Sequence, residues 1–472
     1  MLKKKVLKQN NLLRLQKRLA VVMLALTLGL GTGCGKTDDG ADGAASSEAE
    51  TLADGQTNNQ TDAGAEEENG QESKKDNDEP YSSDAYDVAE FTAEPRKKTD
   101  EEGNRGVYYE IFVRSFADSD GDGIGDLNGV TEKLDYLKEL GIDGIWLMPI
   151  TASDTYHGYS VTDYVTVNPD YGTEDDLKRL LDEAHSRDMK VIMDLVINHT
   201  SINHPWFQAA KSDENSEYRD YYRWVYKTDK KDCNHLLDKS SWGDMVWHQE
   251  GDFYYYGVFG ADMPDLNYNN PDVRQAAKDA AGHWLELGLD GFRMDAAVHI
   301  YGAHEFKQQE DSEAANITWW NEFAGYCESI NPDVYLVGEV WQDDKVLENY
   351  VQPFDTKFDF TIQQKILNCV QKGMAVPGFG DSLSVAIENI QNKYDGVDAN
   401  YLNGIFGANH DQDRIASSVN SLDKARQIAA VYMTLPGNPY IYYGEELGMY
   451  GSKPDEMIRT PFLWGGDSTY NT

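Results

Sequence analysis

Short apolar runs alternate with amphipathic stretches along the chain from Arg105 onward. The apolar runs have the length of buried strands, and the stretches between them repeat apolar positions with the period of an α-helix. In the first stretch, for example, Leu134, Leu137 and Leu140 share one helical face. Three such stretches predict helices, at 130–140, 174–187 and 273–287. This alternation is typical of a parallel sheet with helical crossovers.

Eight apolar runs predict the strands of that sheet. They lie at 107–113, 144–148, 191–197, 291–294, 334–338, 358–360, 404–408 and 440–443. Eight βα units favour an α/β fold of the (β/α)8 TIM-barrel type over an open doubly wound sheet. No GxGxxG motif follows a predicted strand and no GxxxxGK[ST] motif is present, so the sequence does not indicate a nucleotide site.

A long segment separates the third predicted strand from the fourth. Residues 200–262 contain Trp206, Trp224, Trp242 and Trp247 but show little helical periodicity. Long loops in compact domains are commonly functional, and barrel active sites lie at the carboxyl ends of the strands. We therefore predict a loop-rich inserted domain at that face, within a catalytic domain of residues 105–472.

The composition changes toward the N-terminus. Basic residues precede a short apolar run that ends near Cys34, so residues 1–34 resemble a bacterial lipoprotein signal peptide with Cys34 as the lipidated residue. Gly31 departs from the Leu that such signals prefer three places before the cysteine, and an ordinary secretory signal is the alternative. Residues 35–104 are acidic and poor in apolar side chains, which predicts a disordered linker. We expect an extracellular protein that a lipid anchor attaches to the membrane.

Charge and cysteine content narrow the partners. The 42 basic and 82 acidic residues give a net charge of −40, which repels phosphates and argues against nucleic acid as a partner. Cys233, Cys327 and Cys369 are widely spaced and indicate neither a zinc site nor a disulfide framework. A neutral ligand and a monomeric protein are the expectation.

Polar residues cluster where four predicted strands end. These clusters contain Asp194, Asn198, His199, Arg293, Asp295, Glu339, Asn409, His410 and Asp411. The carboxyl ends of barrel strands meet at one face, so we expect these side chains to converge. Two carboxylates that face each other across a sugar suit glycoside cleavage, one as nucleophile and one as proton donor.

The four segments, in this order, resemble the conserved regions of the α-amylase family, glycoside hydrolase family 13. Segments 109–116, 156–159 and 263–267 also match motifs of that family. The resemblance extends from about residue 106 to the C-terminus. It implies a retaining enzyme that cleaves α-1,4-glucosidic bonds of starch or maltooligosaccharides by double displacement.

The resemblance also implies roles for individual residues. Asp295 would be the nucleophile, Glu339 the general acid/base, and Asp411 would stabilise the transition state. Arg293 would pair with the nucleophile. The sugar in the −1 subsite would meet His199, His410 and Tyr159, the last as a stacking ring.

An acidic loop after the first predicted strand indicates a cation site. Oxygen ligands at alternating positions separated by glycines resemble a calcium loop, with Asp118, Asp120, Asp122, Ile124 and Asp126 as its residues. Family members that cleave oligosaccharides hold Ca²⁺ or Mg²⁺ in such a loop, which implies a structural Ca²⁺ here. A second calcium site of some amylases has residues equivalent to Asn198 and His299.

Several alternatives remain open at this point. A transglycosylase or neopullulanase-like enzyme would use the same triad, although Ala296, rather than Val, after the nucleophile favours α-1,4 cleavage. Val298 replaces a Lys that many relatives use on the leaving side. Because the chain ends at Thr472, we expect the eighth helix and the C-terminal β-domain of the family to be missing. A truncated, non-catalytic glucan-binding lipoprotein and a solute-binding lipoprotein are the readings from other classes.

Overall fold

The computed structural model describes most of the predicted catalytic domain and a short segment before it. The described residues are 88–96, 98, 104–228, 235–301, 309–342, 344–372, 382–399 and 401–465. The predicted signal peptide with Cys34, and Cys233, lie outside these ranges. The predictions for residues 1–34 therefore rest on sequence alone.

Thirteen strands are found in the described part of the chain. They are β1 (Tyr108–Ile111), β2 (Gly144–Leu147), β3 (Thr151–Ser153), β4 (Val161–Val167), β5 (Lys190–Leu195), β6 (Trp224–Tyr226), β7 (Trp247–Glu250), β8 (Phe253–Tyr256), β9 (Gly291–Met294), β10 (Tyr335–Gly338), β11 (Thr356–Lys357), β12 (Gly404–Phe406) and β13 (Asn438–Tyr442). Eight of them form one parallel sheet in the order β11-β10-β9-β5-β2-β1-β13-β12. An isolated parallel bridge between Phe358 and Gly404 joins the two outer strands, so the sheet closes. The predicted (β/α)8 barrel is confirmed.

Helices cover the outside of the barrel. In chain order they are α1 (Val113–Phe116), α2 (Leu127–Glu132), α3 (Leu134–Leu140), α4 (Glu174–His185), α5 (Pro205–Ser212), α6 (Pro271–Leu287), α7 (Gln309–Ile330), α8 (Asp344–Leu347), α9 (Phe360–Lys372), α10 (Leu383–Val397), α11 (Ile415–Val419), α12 (Leu422–Tyr432) and α13 (Asp455–Ile458), with 3₁₀ turns at Arg219–Tyr221 and Glu348–Val351. Thr173 begins α4 with a capping box to Asp176, and left-handed Gly288 ends α6. These local signals explain why the amphipathic patterns fold as helices.

Aromatic side chains fill the inside of the barrel. This cluster consists of Tyr108, Trp146, Ile192, Tyr335, Val337, Phe358, Phe360, Phe406 and Tyr440. The outward faces of the strands pack against the helices, so each strand is buried on both sides. Continuous apolar runs, rather than alternating ones, are the expected sequence pattern for such strands.

The sixth predicted strand, 358–360, was displaced. The strand is β11, at Thr356–Lys357, and Phe360 already begins α9. The cause is Asp359, whose carboxylate accepts a hydrogen bond of 2.8 Å from the backbone N–H of Ile362 and so begins the helix. The aromatic alternation of Phe358 and Phe360 reflects their shared place in the barrel interior, not a longer strand.

The region at the carboxyl ends of the strands contains two small antiparallel sheets. Strands β6, β8 and β7 form a three-stranded sheet inside the predicted insertion 200–262, together with α5. The hairpin of β3 and β4, between the second and third barrel strands, was not predicted. Its residues 161–167 alternate buried and exposed positions only in part, which obscured the signal.

The predicted disordered linker 35–104 extends too far toward the barrel. Arg96 is 5% exposed and contacts Glu328 at 2.6 Å and Asp355 at 3.0 Å. Phe91 stacks on Tyr301 with ring centroids 5.8 Å apart. The described residues 88–96 therefore pack on the catalytic domain, because a single arginine and a few apolar side chains in an acidic segment suffice to anchor it.

Candidate active site

The polar residues predicted to converge do lie at one edge of the barrel. Asp194 is in β5 and Arg293 is in β9, while Asp295 directly follows β9 and Glu339 directly follows β10. His410 and Asp411 follow β12. Parallel register places Asp194 beside Arg293, and these strand ends therefore build one site.

Arg293 lies at the centre of three carboxylates. Its side chain is buried, and its Nη1 contacts Asp194 and lies 2.6 Å from Oδ1 of Asp295. Its Nη2 lies 2.9 Å from Oε2 of Glu339. Although burial opposes a charge here, these carboxylates raise the pKa of Arg293, which stays a cation. One guanidinium thus fixes the positions of the two carboxylates that sugar chemistry requires.

Glu339 has the environment of a proton donor. Burial raises the pKa of its carboxyl to about 7, against the opposing effect of Arg293. The backbone N–H of Ala296 donates a hydrogen bond of 3.0 Å to Oε2 of Glu339. Ala296 has a φ of 49°, a left-handed conformation that non-glycine residues seldom adopt. This turn brings the backbone of the residue after Asp295 onto Glu339.

Asp411 and His410 form a charged pair beside the first three carboxylates. Nε2 of His410 lies 3.1 Å from Oδ2 of Asp411, and Nη2 of Arg459 lies 3.0 Å from Oδ1. Although burial opposes the shift, His410 and Arg459 lower the pKa of Asp411 well below its usual range. Asp411 is therefore a carboxylate that accepts hydrogen bonds.

Tyr159 and His199 line the same site. The Tyr159 ring stacks on His410 with centroids 5.5 Å apart and an interplanar angle of 15°. Its hydroxyl lies 2.6 Å from Nε2 of His410 and donates to Asp194 at 3.3 Å. Nε2 of His199 lies 3.1 Å from the carbonyl oxygen of Tyr159, and burial lowers the pKa of His199. All seven predicted catalytic and substrate-binding residues thus lie in one contact network.

Three further residues join this network although they were assigned no catalytic or binding role from the sequence. They are Asp194, Glu110 and Arg459. Asp194 lies in the third predicted strand, Glu110 lies in the motif 109–116, and Arg459 lies near the C-terminus. Buried charged residues inside otherwise apolar runs were the available signal for Asp194 and Glu110.

The acidic loop forms a compact cluster of oxygens. Carboxylate oxygens of Asp118, Asp120 and Asp126 lie within 4.8 Å of one another. Gly121 and Gly123 have positive φ values of 83° and 94°, and their backbone N–H groups donate hydrogen bonds to the carboxylate of Asp118. The loop therefore folds around the Asp118 side chain. Although burial opposes the shift, backbone hydrogen bonds of the loop together lower the pKa of Asp118. A set of hard carboxylate oxygens fits Ca²⁺ or Mg²⁺.

Two other residues that were predicted as cation ligands, Asp122 in the loop and Asn198 in the second calcium site, have surroundings that differ from those of the three clustered carboxylates. Oδ1 of Asp122 accepts a hydrogen bond of 2.7 Å from the backbone N–H of Ile124 and is outside the three-carboxylate cluster. Oδ1 of Asn198 is buried and has no hydrogen-bond partner among the described residues. An amide oxygen of this kind fits a cation ligand.

The structure also describes two of the cysteines, Val298 and the hydropathy of the helices. Cys327 and Cys369 are free thiols, and burial raises the pKa of Cys327. Val298 is 2% exposed and belongs to the core. Within the described ranges, no helix combines the length and the apolar character that a bilayer span requires.

A closed (β/α)8 barrel with carboxylates gathered around one arginine at its strand ends has the groups that an enzyme of glycoside cleavage requires. Residues 110–467 match the family described as "Alpha amylase, catalytic domain". The chain therefore belongs to the α-amylase family, glycoside hydrolase family 13, and is a glycoside hydrolase.

Similar proteins carry related names. "Alpha-amylase 3" of Dictyoglomus thermophilum is 46% identical over 371 residues, which cover 78% of this chain and 69% of that protein. "4-alpha-glucanotransferase" of Thermotoga neapolitana is 37% identical over 365 residues, which cover 76% of each chain. The crystal structure of the alpha-amylase from H. orenii superimposes with a TM-score of 0.70 at 45% identity, covering 78% of this chain and 74% of that one.

Proposed function

We propose that the chain is a retaining α-glucan hydrolase that cleaves α-1,4-glucosidic bonds of starch or maltooligosaccharides. The observation that carries this proposal is the binding of Asp295 and Glu339 by one buried guanidinium, that of Arg293. Two carboxylates that contact the same guanidinium suit the short separation of about 5–5.5 Å between the carboxyl groups of a retaining enzyme. An inverting enzyme has a wider separation, which leaves room for a water molecule. A neutral glucan also suits a protein with a net charge of −40.

In the first step Asp295 attacks the anomeric carbon of the sugar in the −1 subsite. The bond from that carbon to the glycosidic oxygen breaks, and the proton of Glu339 moves to that oxygen. Because burial raises the pKa of Glu339 to about 7, this carboxyl holds its proton below about pH 7. The rate of this step should therefore fall as the pH rises through about 7.

In the second step Glu339 acts as a base. It takes a proton from water, the water oxygen attacks the anomeric carbon, and Asp295 leaves as a carboxylate. Two inversions at one carbon give retention. Asp411 would accept hydrogen bonds from sugar hydroxyls, with His410 and His199 beside it and the ring of Tyr159 against the sugar face.

Transglycosylation is the second candidate, because similar proteins include both an amylase and a glucanotransferase. The choice depends on whether water or a sugar hydroxyl reaches the intermediate. An exposed aromatic ring is available for an acceptor sugar. Trp341, two residues after Glu339, is 53% exposed and stacks on Phe360. Incubation of maltotriose with the purified chain distinguishes the two, since glucose and maltose alone indicate hydrolysis and products longer than maltotriose indicate transfer.

We propose that the loop of Asp118, Asp120, Asp122, Ile124 and Asp126 holds a structural Ca²⁺, with Mg²⁺ as the competing ion. The three clustered carboxylates support this assignment, and Ile124 would contribute its carbonyl oxygen. A bound cation would neutralise the acidic loop and stiffen it next to α2. It would take no part in bond cleavage.

We also propose that the enzyme is extracellular and attached to the membrane through a lipid on Cys34. The basic and apolar stretch before Cys34 supports this, and the acidic segment after it would act as a spacer. Growth of an expressing bacterium with labelled palmitate tests it: the full chain should carry label in the membrane fraction. A Cys34→Ala variant that keeps the label would contradict the assignment.

The direct test of the proposed activity uses amylose, pullulan and maltotriose as substrates. Release of linear maltooligosaccharides from amylose, with little attack on the α-1,6 bonds of pullulan, is the expected result. Binding of amylose without any turnover would instead support a non-catalytic glucan-binding protein.

A further inference from the structure

Glu110 lies inside the barrel at the end of β1, where it faces the imidazole ring of His410. It is 1% exposed, and its Oε1 lies 2.5 Å from Nδ1 of His410. The same oxygen accepts a longer hydrogen bond, of 3.4 Å, from the backbone N–H of His410. On the other side of the ring, Nε2 lies 3.1 Å from Asp411 and 2.6 Å from the hydroxyl of Tyr159.

The chemistry of imidazole makes this arrangement selective for one protonation state. A neutral imidazole has a single N–H, while an ionised carboxylate can only accept hydrogen bonds. With Glu110 at one nitrogen and Asp411 at the other, only the doubly protonated ring donates to both. The ring plane is also held, because it stacks on Tyr159 and meets the edge of Trp146 at 5.7 Å.

We propose, as an extension of the proposed glycosidase function, that Glu110 is a positioning residue which holds His410 as an imidazolium facing Asp411 and the −1 sugar. Glu110 does not touch the sugar in this proposal. It acts through His410, which in turn donates its Nε2–H to Asp411 and keeps that carboxylate ionised in the subsite.

The charged and titratable groups around His410 agree with a cation at this position. Those that face the ring or its backbone are Glu110 in β1, Asp194 in β5, and Tyr159, Asp411 and Arg459 in loops, the last through a hydrogen bond of 3.0 Å to the carbonyl oxygen of His410. Although burial opposes it, Asp411 and Glu110 together raise the pKa of His410 to about 10. The imidazolium therefore persists throughout the neutral range.

Replacement of Glu110 by Gln removes one carboxylate while keeping the shape of the side chain. His410 should then lose its proton at lower pH, because one of its two stabilising anions is gone. Neutral His410 cannot donate to Asp411 and to an acceptor at Nδ1 together. The binding of the transition state should weaken in the pH range where the wild-type ring is still charged.

The test is the pH dependence of kcat/KM with a nitrophenyl α-maltotrioside. Nitrophenolate leaves without help from an acid, so the alkaline limb no longer depends on the proton of Glu339. Glu110→Gln should move this limb to lower pH by at least about one unit. On the alkaline side of the profile, kcat/KM should therefore be about tenfold lower than that of the wild type. Glu446→Gln is the matched control: its carboxylate accepts from Tyr109 and Tyr136, not from His410, and its limb should match the wild type. A Glu110→Gln limb identical to the wild-type limb would overturn the proposal.

A second measurement does not depend on turnover or on the folding of a Glu110 variant. The full chain is labelled with ¹⁵N-histidine, and the His410 ring signals are assigned by their loss in His410→Gln. The wild-type ring should show two protonated nitrogens at pH 8, and a neutral ring at that pH would overturn the proposal. If the wild type cleaves no glucan at all, the proposed function fails, while this spectrum still decides how Glu110 and His410 interact.

Discussion

Removal of the positive charge of Arg293 should shift the pH profile of kcat/KM, and the structure predicts the direction of that shift. The charge centres of this guanidinium and of Glu339 are about 4 Å apart, and with an effective dielectric constant of about 20 their attraction is about 4 kcal/mol. That energy corresponds to roughly three pKa units as an upper limit, since water and neighbouring dipoles compensate for part of the loss. The contact of 2.9 Å between them is buried, so screening by salt is weak.

Arg293→Gln should therefore raise the pKa of Glu339 above its value of about 7, because the carboxylate form loses its cation. Glu339 reacts in its protonated form, so the alkaline limb of kcat/KM on maltoheptaose should move to higher pH by at least about one unit. The rate should nevertheless fall by roughly 10²-fold or more, because Asp295 and Glu339 lose the group that holds them in position.

Arg293→Lys is the matched control, since it keeps a positive charge but cannot contact all three carboxylates. Its rate should fall while its alkaline limb stays within about half a pH unit of the wild-type limb. Initial rates between pH 5 and pH 10, together with the thermal midpoint of each variant, provide the comparison. An alkaline limb of Arg293→Gln that stays in place or moves to lower pH would refute the electrostatic reasoning.

Three further predictions concern the nucleophile, the N-terminal segment and the acidic loop. Asp295→Asn should reduce turnover of maltoheptaose by at least about 10³-fold in a variant that still folds, and retained activity would mean that another group attacks the sugar. Arg96→Gln should lower the free energy of unfolding by about 3–5 kcal/mol in a denaturant titration, because it leaves Glu328 and Asp355 unpaired. The control Arg187→Gln breaks only solvent-exposed pairs and should change it by less than about 1 kcal/mol; equal effects would contradict a buried anchor. Millimolar Ca²⁺ should raise the thermal midpoint of the wild type but not of Asp118→Asn, and no rise in the wild type would contradict the cation site.

The barrel could be predicted from the sequence because its strands are buried on both faces. Runs such as that of β5 are mostly apolar, with Val191, Ile192 and Met193 in succession, and the helices between them carry clear amphipathic patterns and caps. The position of β11 could not be predicted in the same way. That strand has only two residues, Thr356–Lys357, and its place is set by pairing with β10 and by the helix that Asp359 begins.

The candidate site could be predicted where polar residues interrupt an apolar strand end. Asp295 and Glu339 follow their strands directly and Asp411 lies in the loop after β12, so the topology alone brings them together. Glu110 and Arg459 could not be assigned to the site from the sequence. Glu110 meets His410 from 300 residues away, and only closure of the barrel makes them neighbours.

The N-terminal segment shows that average composition does not predict where a disordered segment ends. Residues 35–104 are acidic on average, and that average predicts a disordered segment. Arg96 and Phe91 nevertheless pack on the domain because each finds a specific partner, Arg96 an ion pair and Phe91 an aromatic ring. Averaged composition cannot reveal contacts made by single side chains.

The stereochemistry of the first product tests the central claim most directly. Proton NMR spectra recorded during the first minutes of maltoheptaose cleavage by the purified full chain distinguish the two anomers before they interconvert. Attack by Asp295 followed by attack by water inverts the anomeric carbon twice, so the new reducing end should appear first as the α-anomer. Initial formation of the β-anomer would contradict the assignment of Asp295 as nucleophile and of Glu339 as acid/base.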